Sequence, residues 1–179
     1  MRGNPFAYPF LRSVLSQLVP ILVFPSAETA MVRWYNDGMT ATELLTIQLA
    51  DASYQIEKVL EGVQEGQLDV KLCPTSMSIR QQIEHLCEVY TAVDEESRGL
   101  KHAWGEYVIQ YDSFDELKTK FNGLRAKALG LVANPASSEA FELASAFMVG
   151  HEYYHVGQIA SLRIATEPTW NPYSIYRHG

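Results

Sequence analysis

The sequence predicts an all-α four-helix bundle, and three observations predict it. Four stretches repeat apolar residues every three to four positions, each stretch is bounded by capping or breaking residues, and no window shows the strict apolar–polar alternation of a strand closed by tight-turn dipeptides. Four amphipathic faces are buried most simply against one another. A chain of 179 residues is the size of a single domain and can bury a sizeable core without staples.

The first helix starts at Thr40 or Thr42, either of which can cap it, and carries Leu45, Leu49, Ala52, Ile56, Leu60 and Val63 on one face, with Gly62 and Gly66 closing it. A connector follows over residues 67–74. Ser76 or Ser78 caps the second helix, with Ile79, Ile83, Leu86, Tyr90 and Val93 inward, and Gly99 ends it. Residues 101–112, with Trp104, Gly105, Tyr107 and Tyr111, hold no period and read as a loop with room for one helical turn. Ser113 or Asp115 starts the third helix, whose face is Phe114, Leu117, Phe121, Leu124, Ala128 and Leu131, and Asn134-Pro135 stops it. The fourth is a proline-free run over 138–165 with Phe141, Ala144, Met148, His151, His155, Ile159 and Leu162 at helical spacing. Pro168 and Pro172 keep the tail out of any regular element.

Composition excludes several classes of function. A net charge of -7, from 21 acidic and 14 basic residues, offers no basic stripe for phosphates, so no nucleic-acid partner is expected. Cys73 and Cys87 form neither a disulfide framework nor a CxxC pair and are expected as reduced, mostly buried thiols of a cytoplasmic protein. The apolar stretch over residues 10–24 is interrupted by Arg12, Ser13, Ser16, Gln17 and Pro20, so it is too short and too broken to span a bilayer. We expect residues 1–35 to be an N-terminal extension and 36–179 the bundle domain; export or anchoring through the apolar stretch is the weaker alternative.

Chemistry concentrates on the fourth helix. His151-Glu152-Tyr153-Tyr154-His155 places two imidazoles one turn apart on the inward stripe, where they can grip one ion. Of the other three histidines only His85 sits mid-helix, next to the apolar stripe and able to point across the bundle; a core histidine bonded to Glu84 or a carbonyl is the bland alternative. Gln82 and Met148, each one turn before a histidine, are placed to line such a pocket. His102 and Trp104 either cover its mouth or simply pack the loop, and Cys87 falls on the far side of its helix.

The segments Ser78-Ile79-Arg80-Gln81-Gln82-Ile83-Glu84-His85-Leu86 and His151-Glu152-Tyr153-Tyr154-His155-Val156-Gly157-Gln158-Ile159, continued by Leu162-Arg163, resemble the DinB-like superfamily of damage-inducible four-helix-bundle proteins. With a looser match at Thr40-Ala41-Thr42-Glu43-Leu44-Leu45, the resemblance covers about residues 40 to 168. It implies an up-down-down-up bundle with one long crossover and a divalent metal held by His85, His151 and His155. Three neutral imidazoles suit zinc or nickel, with iron or manganese next, and leave positions open for water or substrate. Relatives of this kind include thiol-dependent transferases and isomerases that use low-molecular-weight thiols, and proteins described as metal-dependent hydrolases. The resemblance therefore implies a small-molecule substrate, with a low-molecular-weight thiol as candidate cosubstrate; the broken apolar stretch leads us to expect no membrane partner, and a dimer contact through Tyr153 or Tyr154 would make the protein a homodimer. A non-enzymatic metal-binding or interaction bundle is the competing class.

His151-Glu152-x-x-His155 also satisfies the H-E-x-x-H pattern of zinc peptidases, where the glutamate is the general base. Gln158 and Ser161 stand where a metzincin needs glycine and histidine, and no sheet precedes the motif. Glu152 and Tyr154 are the candidate catalytic side chains; for Glu152 the alternative is a solvated charge on the helix exterior, and for Tyr153 and Tyr154 it is packing.

Overall fold

The computed structural model describes residues 39–177, all helix, turn and loop, with no strand among them. Helix α1 spans Ala41–Leu60, α2 Ile79–Ser97, α3 Phe114–Val132, α4 Ser138–Leu143 and α5 His151–Thr166, with a π-helical segment Ala144–Gly150 joining the last two. The fourth rod of the bundle is thus a continuous helical run over 138–166, not one regular α-helix. The apolar stretch 10–24, the boundary at residue 35 and His178 lie outside the described residues.

Each start is fixed by a local side-chain oxygen. Thr40 and Glu43 form a reciprocal capping box on α1, as Ser78 and Gln81 do on α2, and Ser113 Oγ accepts the Glu116 N–H of α3 at 3.2 Å. Gly62 and Gly99 adopt φ of 75° and 73°, the left-handed conformation that ends α1 and α2 where a side chain would be strained. The connector 61–78 is tied down by Leu68, fully buried, and by Arg80, whose guanidinium meets Asp69 and Glu65.

The core is continuous through the bundle: Leu45, Ile56 and Val59 from α1, Ile79, Ile83 and Leu86 from α2, Leu117 and Phe121 from α3, Met148 from the π segment and Ile159 and Leu162 from α5. Some expectations shift by a position. Val59 rather than Leu60 is fully buried, and Leu131 is 43% exposed while Val132 turns inward. Cys87 is buried, but Cys73 is exposed in the connector, because the apolar run that would cover it does not begin until Ile79. The tail contains one short 3-10 helix, Pro172–Ile175, which Pro172 can open because the first turn needs no N–H there. Ile175 buries, and Arg177 donates to the Ala50 carbonyl at 2.7 Å.

Two charged networks sit inside this apolar frame. Arg163, 2% exposed, donates to the Val59 and Glu61 carbonyls at 3.2 and 2.7 Å, completing the C-terminus of α1, and lies 4.4 Å from the Trp170 ring centre. Glu152, 0% exposed, accepts from Arg125 Nε and Nη2 at 2.8 and 2.7 Å and from the Tyr90 hydroxyl at 2.8 Å; Arg125 also donates to Ser53. One ion pair therefore ties α1, α2, α3 and α5 together. Among the described residues no helix is long and apolar enough to cross a membrane.

Candidate metal centre

His85 on α2 and His151 and His155 on α5 converge, with one ring nitrogen of each within 4.8 Å of the others. His151 Nε2 stands 3.1 Å from His85 Nε2 and 3.0 Å from His155 Nε2. Nitrogens at the usual ~2.0–2.1 Å from one ion are about 3.3 Å apart in a tetrahedron and about 3.0 Å apart at neighbouring corners of an octahedron. The two separations to His151 match that requirement and the third pair lies within 4.8 Å, so the three side chains could hold a metal.

The π segment sets where His151 points. The His151 N–H bonds back to the Ala146 carbonyl, five residues earlier instead of four, which rotates the start of α5 relative to α4. From His151 to His155 the helix is regular, and the two rings lie one turn apart, tilted at 39° with 4.8 Å between centres. On α2, the face that buries Ile83 and Leu86 brings His85 to the same point, with its side chain 29% exposed, so the cluster is open on one side.

Electrostatics favours the ligand form of all three. Burial lowers the pKa of His155 to about 3 and that of His151 to about 4, each helped by the neighbouring imidazoles, and burial also lowers His85 against the opposing pull of Glu88. The rings are therefore neutral at pH 7. The outer nitrogens of two rings face oxygen atoms: His155 Nδ1 lies 3.1 Å from Gln82 Oε1, which assigns the proton to Nδ1 and leaves the Nε2 lone pair for a metal, and His85 Nδ1 lies 3.6 Å from Glu88 Oε2.

Gln82, 1% exposed, thus acts on the site through His155, and Met148, in the π segment before His151, is fully buried. His102 does not join the cluster; its Nδ1 is 2.7 Å from Glu95 Oε2. Trp104 stacks on Phe147 at 5.9 Å, and Phe147 on His151 at 6.3 Å, so the loop after α2 borders the site through an aromatic ladder. Tyr154 is 60% exposed with its ring edge-on to His155 at 5.1 Å, whereas Tyr153 is turned away and donates to Asp51.

Glu152 requires a correction. It is not a solvated charge on the helix exterior: both its oxygens are engaged by Arg125 and Tyr90 inside the bundle, because the residue after His151 turns toward α3. Arg125 falls on the buried stripe of α3, four residues after Phe121 and three before Ala128, which was the available signal; its pairing with Glu152 is long-range and left no local trace. Glu88, buried beside His85, is the other residue that sequence reasoning passed over; its spacing three residues after His85 was the available signal. No family model, no curated protein and no solved structure matches the chain.

Proposed function

We propose that this chain is a DinB-like, up-down-down-up bundle in which His85, His151 and His155 hold a divalent ion, zinc or nickel, for thiol-dependent transfer or hydrolysis on a small molecule. The observation that carries the reading is the convergence of His85 Nε2 and His155 Nε2 on His151 Nε2, at 3.1 and 3.0 Å, from two separate helices, with burial keeping the rings neutral. A structural zinc site is usually closed by a fourth ligand; the three imidazoles and the partly exposed edge at His85 support the open kind of site instead. When bound, such an ion supplies Lewis acidity, polarising an electrophile or lowering the pKa of a coordinating water or thiol.

The protein's own residues do the rest. Gln82 holds the tautomer of His155, and the Trp104–Phe147 ladder shields one flank of the cluster from water. Tyr154 presents an exposed phenol beside His155, where it can donate a hydrogen bond to a bound substrate. The peptidase reading has no base to work with, since the Glu152 carboxylate is committed to Arg125 and Tyr90. The test is a transferase and hydrolase screen of zinc- and nickel-loaded protein with several cellular thiols. Turnover that disappears on chelation and returns with metal supports the enzyme reading, while a metal-replete protein inert towards every thiol and hydrolysable ester tried points to the non-enzymatic class.

A further inference from the structure

Glu88 is a buried carboxylate with one hydrogen bond, two imidazole neighbours and no part in the cluster itself. Its Oε1 accepts the Gly105 N–H at 2.6 Å and lies 3.5 Å from His102 Nε2, while its Oε2 faces His85 Nδ1 at 3.6 Å. His102 Nε2 makes no hydrogen bond of its own, although the residue is 7% exposed and its other nitrogen is held by Glu95. Gly105 has φ of 82°, a conformation few other residues adopt, and this turns its N–H onto the carboxylate. The same loop carries Trp104, which sits edge-on to His102 at 4.7 Å and ends the ladder that reaches His151. Loop 101–112 is thus fastened near the cluster from two directions, through Glu88 toward His85 and through Phe147 toward His151.

We infer that Glu88 is a positioning residue that orients His85 for the metal while seating the loop around His102 and Gly105, so that metal loading and loop closure are linked. The inference rests on the metal reading of the histidine cluster. An imidazole that binds through Nε2 carries its proton on Nδ1, the atom facing Glu88, and a carboxylate there both fixes the ring and raises its basicity. With two oxygens, Glu88 can serve the loop and the ligand at once. A glutamine has one carbonyl oxygen and can satisfy Gly105 or His85 but not both. Linkage is reciprocal: whatever factor loop seating adds to metal affinity, metal must add to loop seating.

The experiment uses the full chain and zinc alone, with affinity read by competition against a chromophoric chelator and the loop read by amide hydrogen exchange over residues 101–110. Zinc is expected to slow exchange in that segment of the wild-type protein. Glu88→Gln should weaken zinc binding by roughly 10–100-fold, the usual effect of losing an outer-sphere partner, and should abolish the zinc-dependent slowing. His102→Ala, which keeps the Glu88–His85 contact, should speed loop exchange and cost zinc affinity only a few-fold. Unchanged zinc affinity in a folded Glu88→Gln protein would overturn the inference. So would loop exchange indifferent to zinc in the wild-type protein, a result that needs no variant to fold. A wild-type protein that binds no zinc at all would instead defeat the metal reading itself.

Discussion

Replacing Glu152 with alanine strands a guanidinium inside the bundle. Arg125 is 6% exposed, and its bonds to Glu152 at 2.8 and 2.7 Å are the ones that neutralise it; afterwards only Ser53 Oγ and the freed Tyr90 hydroxyl remain near it. Removing one partner of a buried ion pair costs about 3–5 kcal/mol, because the surviving charge keeps its desolvation penalty and loses its compensation. For a domain of this size that corresponds to a fall in Tm of roughly 10–20 °C. Thermal and urea unfolding followed by circular dichroism measure it directly. The double variant Glu152→Gln/Arg125→Met removes the stranded charge and leaves an amide oxygen for Tyr90, so it should recover at least half of the loss. A Glu152→Ala protein destabilised by less than about 1 kcal/mol, the range of ordinary surface changes, would refute the buried network.

Three further outcomes are expected. In the metal-free protein, His151 and His155 titrate near 6.5 when unfolded but at about 4 and about 3 when folded, so the unfolded state binds more protons in between. Stability is then complete above pH ~6.5 and falls as the pH drops toward the folded values, by as much as about 1.4 kcal/mol per pH unit for each histidine; urea midpoints in chelator at descending pH check this, and a flat or rising profile contradicts it. Cys73 should react with iodoacetamide in the native protein and Cys87 only after unfolding, since burial pushes the Cys87 thiol up to about 12; peptide mass analysis distinguishes the two sites. Arg163→Ala should leave the Val59 and Glu61 carbonyls without their donor and cost on the order of 2–4 kcal/mol, read as a lowered urea midpoint; wild-type stability would show that water replaces the guanidinium freely.

The helices were legible because their signals are local. Thr40 and Ser78 announce their capping boxes three residues ahead of Glu43 and Gln81, and the apolar repeat of α2 is unbroken from Ile79 to Val93. The histidine cluster was legible for the same reason on α5, where His151 and His155 are neighbours on one face, and less so for His85, whose approach depends on how two helices pack. Long-range polar pairs left no such trace. Arg125 and Glu152 are 27 residues apart, and although Arg125 falls at a core-facing spacing between Phe121 and Ala128, nothing local names its partner; the loop residues His102 and Gly105 meet Glu88 only after the chain turns back at Gly99. The π segment was invisible to a count of apolar spacings, because Ala144 and Met148 keep a four-residue repeat into it and the extra residue shows only in the His151 N–H bond to the Ala146 carbonyl.

The central claim is that His85, His151 and His155 form one metal centre, and metal stoichiometry tests it most directly. Elemental analysis of untagged protein, followed by zinc and nickel titration of the stripped form, should give one ion per chain. His151→Ala should lose that ion while its far-UV circular dichroism stays helical, since the apolar faces and the Arg125–Glu152 pair supply the fold without it. A protein that binds neither ion, or a His151→Ala variant that binds as tightly as the wild type, would contradict the account.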